Sequence, residues 1–330
     1  MPRAFLLTLV GVNAILALAG AVYAGREHIP AAAAAPIVAA FLLQISFYLA
    51  PGFPEVRKWL EGTLSPVQIA TLALAAALVP YLVYSLPTGV FQLRGLLKLA
   101  AIAAVPAFVF VVRPTASPGL TWQDLAALAA VAVAELGKVF RQIYLSPIAD
   151  LRLESLGRIM IIGVGATAFL SLRRLEGSGY QWRISKADCK TGLKQFALFL
   201  PLGITAGIAI RFAAYQPARV DPWMYLPMAL GTFLGAYAAV ALFEEFFFRG
   251  VLQNLAGASL GHPAGAQAGV SILFGLTHLP FRVFPNWRFA VLAAIVGWFY
   301  GQAYRERRSV VASSIAHALV VTTWRLLFAG

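Results

Sequence analysis

One cysteine, Cys189, is the only thiol in this chain of 330 residues. That excludes an intrachain disulfide, a CxxC redox pair and a thiolate metal site. Charge is also scarce: Asp, Glu, Lys and Arg make up 12% of the residues, where a soluble domain carries about 25%. Acidic groups are the rarer sign, 13 against 26 basic ones. The absence of HExxH excludes a zincin. Nothing repeats at the period of about 20–50 residues that marks solenoids and propellers. The alanine run at 31–35 is the one low-complexity stretch and simply opens a helix.

What fills the chain instead is apolar sequence, 60% of it. Runs of about 20 residues recur from end to end, the length that spans a bilayer as a helix. A β-barrel would show short alternating segments. The expected fold is an all-α, polytopic transmembrane bundle of 10–11 spans. The apolar segments lie near 4–24, 31–50, 66–86, 96–112, 121–140, 157–172, 193–214, 223–247, 264–280, 288–304 and 309–328. Gln123, Asp124 and Glu135 weaken the fifth, and the ninth is short enough to be bent or part-buried. The first is read as a retained span: it is long, and its small residues form no cleavage site.

The clearest break is the polar stretch 173–194, with six basic residues. It suggests an N-terminal bundle over 1–172, a basic cytoplasmic linker at 173–192 and a second unit over 193–330. The net charge of +13 belongs to loops that orient spans and meet anionic headgroups; no nucleic-acid partner is expected. A second basic cluster, Arg305 to Arg308, follows four spans later and so returns to the same side. Counting back puts the N-terminus in the cytoplasm and the protein in the cell membrane. The four basic residues of the 138–158 loop pull the other way. Two GxxxG patterns, Gly231/Gly235 and Gly297/Gly301, are the spacing that lets helices approach closely in lipid.

Against this background "ALFEEFFFRGVLQ" (241–253) stands out. A single ionisable group at mid-membrane costs on the order of 2.5–3.5 kcal/mol, and here Glu244, Glu245 and Arg249 fall within six residues. Glu245 and Arg249 are four apart and share a helix face, so they can pair. Glu244 points about 100° away and is left for chemistry. Of the four histidines, His28 and His262 lie in polar connections, whereas His278 and His317 lie in apolar segments. Glu135, the one N-terminal candidate, has basic neighbours and suits an interface. A desolvated glutamate can act as base or acid near neutrality, and imidazoles can bind zinc or donate to an oxyanion. The set describes a water-activating, hydrolytic site. The plain alternative is a buried ion pair and two hydrogen-bonded histidines that only lock helices together.

The motifs resemble the CAAX-protease and bacteriocin-processing family of intramembrane proteases. "EEFFFR" (244–249) fits its EExxxR, "FGLTH" (274–278) its FxxxH, and "HALVV" (317–321) the first position of its HxxxN or HxxxD. The order is right, each motif sits on its own apolar segment, and the resemblance spans roughly 190–330. It implies an endopeptidase acting on a peptide or membrane protein near or within the bilayer. Glu244 would activate water, Glu245 and Arg249 would pair, and Phe274 would pack beside His278. His278 would hold water or metal, and His317 would be a ligand or oxyanion donor. Zinc on Glu244, His278 and His317 and a metal-free glutamate mechanism both remain open. Val321 stands where the family places Asn or Asp, which weakens a four-ligand metal site and leaves room for an inactive member.

Three rivals follow. "GASLG" (257–261) matches the G-x-S-x-G nucleophile pattern but lacks its strand–turn–helix setting; a glycine-rich turn is expected there. Intramembrane Glu and His also mark the proton relays of transporters, though transporters distribute such sites between repeated halves. A non-catalytic pseudo-protease scaffold is the other alternative.

Overall fold

The computed structural model describes residues 3–281 and 283–329. The chain is an all-α polytopic bundle. Each of the eleven apolar segments is helical, and eight helices are long and apolar enough to cross a membrane. The three others explain themselves. Trp122–Leu136 and Pro263–Leu276 are shorter, and Trp287–Arg307 carries Arg288, Gln302 and a charged last turn. The only strands among the described residues are two dipeptides, Ala214–Tyr215 and Phe328–Ala329, paired antiparallel.

The helices form two compact units, 1–117 with 121–176, and 118–120 with 177–330. In the first unit the helix starts are written locally. Ser65 caps Pro66–Ser85 in a reciprocal box with Gln68, and Thr121 does the same for Trp122–Leu136 with Asp124. Such boxes satisfy two of the orphan amides of a first turn. Glu154–Leu172 is the most enclosed span, while Arg3–Arg26 turns nearly all its surface outward. Asp124, read from sequence as an interruption, is fully buried and bonds Arg173 Nε at 3.0 Å. Glu135 meets Arg158 at 3.4 Å, a basic neighbour as expected, though from the following helix.

The second unit is built on Lys186–Ala209, a long helical stretch Pro222–Leu260, then Pro263–Leu276, Trp287–Arg307 and Val310–Leu327. This stretch of 39 residues is nearly twice the roughly 20 residues that a membrane-spanning helix needs. Two wide π-helical turns interrupt it, at Tyr237–Ala241 and Phe246–Gln253. π turns inside α-helices are rare and concentrate at functional sites. Phe199, Phe274, Leu292, Val296, Tyr300 and Ala316 pack into the core that joins the remaining helices. The "GASLG" stretch is not a turn: Asn254–Leu260 is helical and ends on Gly261 in the left-handed conformation, which glycine adopts without steric penalty.

Candidate active site

The single α-helical turn Leu242–Glu245, held between the two π turns, carries both glutamates. Their one-residue offset rotates them apart around the helix. Glu245 is completely buried, whereas the side chain of Glu244 keeps 26% of its surface open. One carboxylate is therefore enclosed and its neighbour is accessible.

Glu245 is saturated with donors. Arg249 Nε reaches its Oε2 at 3.1 Å, Ser313 Oγ donates to the same oxygen, and His317 Nδ1 lies 2.9 Å from Oε1. Arg249, also completely buried, donates through Nη2 to the Gly297 carbonyl at 3.0 Å and lies over the Phe274 ring at 5.2 Å. One turn on, Gln253 donates to the Gly301 carbonyl at 3.2 Å. The GxxxG pair thus does more than thin the helix. With no Cβ at either position, Trp287–Arg307 presents two successive carbonyls to polar side chains of the neighbouring helix. Gly231 and Gly235 have open space where a Cβ would stand.

His317 stands between the two carboxylates. Its Nδ1 faces Glu245, and its Nε2 lies 4.0 Å from Glu244 Oε2, longer than a hydrogen bond. A carboxylate only accepts, so Nδ1 carries a proton and donates it to Glu245. The Tyr300 ring stacks on the imidazole at 4.6 Å with an interplanar angle of 12°, fixing its plane. His278 lies just past the end of Pro263–Leu276, half-buried, with Nδ1 2.8 Å from the Phe274 carbonyl. The same reasoning puts its proton on Nδ1 and leaves Nε2 as an acceptor. Phe274 bridges the histidines, its ring 4.8 Å from His278 and 6.0 Å from His317. The two imidazoles are therefore no farther apart than the sum of those distances.

The structure brings Glu244, Glu245, Arg249, Phe274 and His317 into direct contact and sets His278 beyond Phe274. It does not group them as metal ligands. Among the described residues no three of His, Cys, Asp and Glu are placed to hold a metal ion. Val321 is half-buried, one turn beyond His317. Ser259 accepts from the Leu120 amide at 2.7 Å, a structural role. Three participants were missed from sequence. Ser313 had a usable signal, since it precedes His317 by one helical turn and so shares its face. Tyr300 and the Gly297 carbonyl had none.

Residues 226–323 match the family model described as type II CAAX prenyl endopeptidase, Rce1-like. The match covers less than a third of the chain and includes all six residues named from sequence. No curated protein and no solved structure matches.

Proposed function

We propose that this chain is an intramembrane endopeptidase of the CAAX prenyl endopeptidase type, which cleaves a peptide or membrane-protein substrate near or within the bilayer. The observation that carries this reading is the division between the glutamates: Glu245 saturated and enclosed, Glu244 adjacent, accessible and facing His317. Glu244 takes a proton from water, and the water oxygen bonds to the scissile carbonyl carbon as the carbonyl electrons move onto oxygen. The C–N bond then breaks, and Glu244 returns the proton to the leaving nitrogen. His278 Nε2, a free acceptor, orients the attacking water. His317, held in one tautomer by Glu245, presents Nε2 towards Glu244 across a gap that needs a proton or a water, since both atoms otherwise accept. Glu245 and Arg249 touch no substrate; they position His317. The two basic clusters favour a cytoplasmic N-terminus in a cell membrane, against the pull of the 138–158 loop.

Glu244→Gln keeps the shape and removes the base. In proteoliposomes with a peptide substrate, turnover should fall at least about a hundredfold, the size of a lost general base, with thermal stability unchanged. Full activity in Glu244→Gln would defeat the assignment. Loss of activity in Ser259→Ala would point to a serine nucleophile instead.

A further inference from the structure

Within the second unit, residues 179–188 of the first basic stretch meet Arg307 and Arg308 of the other. They wall a cavity of about 340 Å³ whose lining includes Arg183, Arg307 and Arg308 against one acid, Asp188. Arg307 Nε is 3.8 Å from Asp188, a loose pair. The Asp188 carboxylate is already engaged by the Ser185 amide and hydroxyl. Arg308 donates to Asn254 Oδ1 at 3.3 Å and also bonds the Tyr304 hydroxyl. Arg183 is exposed and has no ion pair or hydrogen bond among the described residues. The pocket thus carries three guanidinium groups, the side chain suited to bidentate phosphate recognition, and a single carboxylate.

Two further features point the same way. Ser185 and Ser309, the N-caps of Lys186–Ala209 and Val310–Leu327, both line the cavity, so two helix N-termini add their positive ends to the arginines. Both helices are long and apolar enough to cross a membrane, and Trp287–Arg307 ends at the same place. A pocket where two spans begin and a third helix stops lies at the level of the headgroups. Ser309 is eight residues from His317, roughly 12 Å along the helix. A group held in the pocket would therefore fix how deep the glutamate–histidine centre sits below the headgroups.

We propose that this pocket is a phosphate site, filled by the headgroup of an anionic membrane phospholipid. The test uses the full chain in phosphatidylcholine nanodiscs with and without phosphatidylglycerol, with retained lipid read by native mass spectrometry. The wild-type protein should retain phosphatidylglycerol. Arg183→Gln combined with Arg308→Gln should weaken that binding about twenty-fivefold, taking about fivefold for each interfacial arginine. Gln181→Glu, which adds an acid to the pocket wall without touching an arginine, should abolish it. Arg219→Gln, a basic residue outside the pocket, should leave it unchanged. Wild-type affinity in both pocket variants would overturn the proposal, as would an equal loss in Arg219→Gln, which would reveal diffuse charge attraction. Inorganic phosphate forms a separate arm. If it saturates the pocket as tightly as the lipid does, the ligand is a soluble phosphate and the headgroup assignment fails.

Discussion

Replacing Glu245 with glutamine tests the enclosed pair at the centre of the site. In the native protein the Glu245 carboxylate receives Arg249 Nε, Ser313 Oγ and His317 Nδ1, and both charged side chains are sealed from solvent. Glutamine keeps the volume but has one acceptor oxygen and two N–H donors, so on its nitrogen side a donor meets a donor. Arg249 loses its counter-charge and retains the Gly297 carbonyl and the faces of Phe274 and Phe248. Those contacts exist in the native protein already, so they offset nothing. Arg249 Nη1 has no acceptor among the described residues even before the change. Breaking a buried ion pair by removing one partner costs about 3–5 kcal/mol, which for a unit of this size lowers the unfolding midpoint by roughly 10 °C. Combining Glu245→Gln with Arg249→Met removes both charges, and most of the loss should return, because the unpaired buried charge is what destabilises. Tryptophan fluorescence during heating in detergent would follow both. An unchanged midpoint in Glu245→Gln would refute the reasoning, and so would a double variant that loses the sum of the two single losses.

Three other outcomes are expected. Ser313→Ala should destabilise by about 1.5–3 kcal/mol, the range for a hydrogen bond to a charged group, and thermal unfolding would show it. Gly301→Ala should lower the midpoint clearly, because its Cβ would come within 2.8 Å of Gln253 Oε1 and Gln267 Cγ; Gly231→Ala, facing open space, should unfold like the native protein. Val321→Asn should leave the zinc content of the purified protein unchanged if the site works without metal, whereas a three-ligand zinc site should bind tighter once a fourth ligand is offered. Metal analysis after dialysis against a chelator separates the two.

The helices were legible because bilayer physics writes them in length and hydropathy, two quantities that need no tertiary partner. The Glu245–Arg249 pair was legible for a related reason: four residues on one helix meet whatever the rest of the chain does. Partners far apart in sequence were not. Asp124 and Arg173 form the most buried ion pair of the first unit, yet one read as a blemish in a span and the other as the start of a linker. The two GxxxG patterns look alike on the page, and only the fold shows that one packs against polar side chains while the other faces open space. The π turns flanking the glutamates left no mark in the composition at all.

The two glutamates divide the work in the proposed mechanism. A lone base beside a histidine could be supplied from any helix, but the histidine would be free to rotate and to exchange tautomers. Here the imidazole is fixed from three sides: Glu245 takes the Nδ1 proton, Tyr300 stacks on its face, and the backbone of Val310–Leu327 sets its height. Glu245 can do this only because Arg249 and Ser313 share its charge in a place sealed from bulk solvent. The cost of enclosing that pair is thus the means by which Glu244, one residue away and partly exposed, meets an imidazole of defined orientation. Orienting a ring by a carboxylate at its far nitrogen recurs on unrelated folds, and in the mechanism proposed for this chain a run of two adjacent acids supplies both the orienting carboxylate and the reacting one.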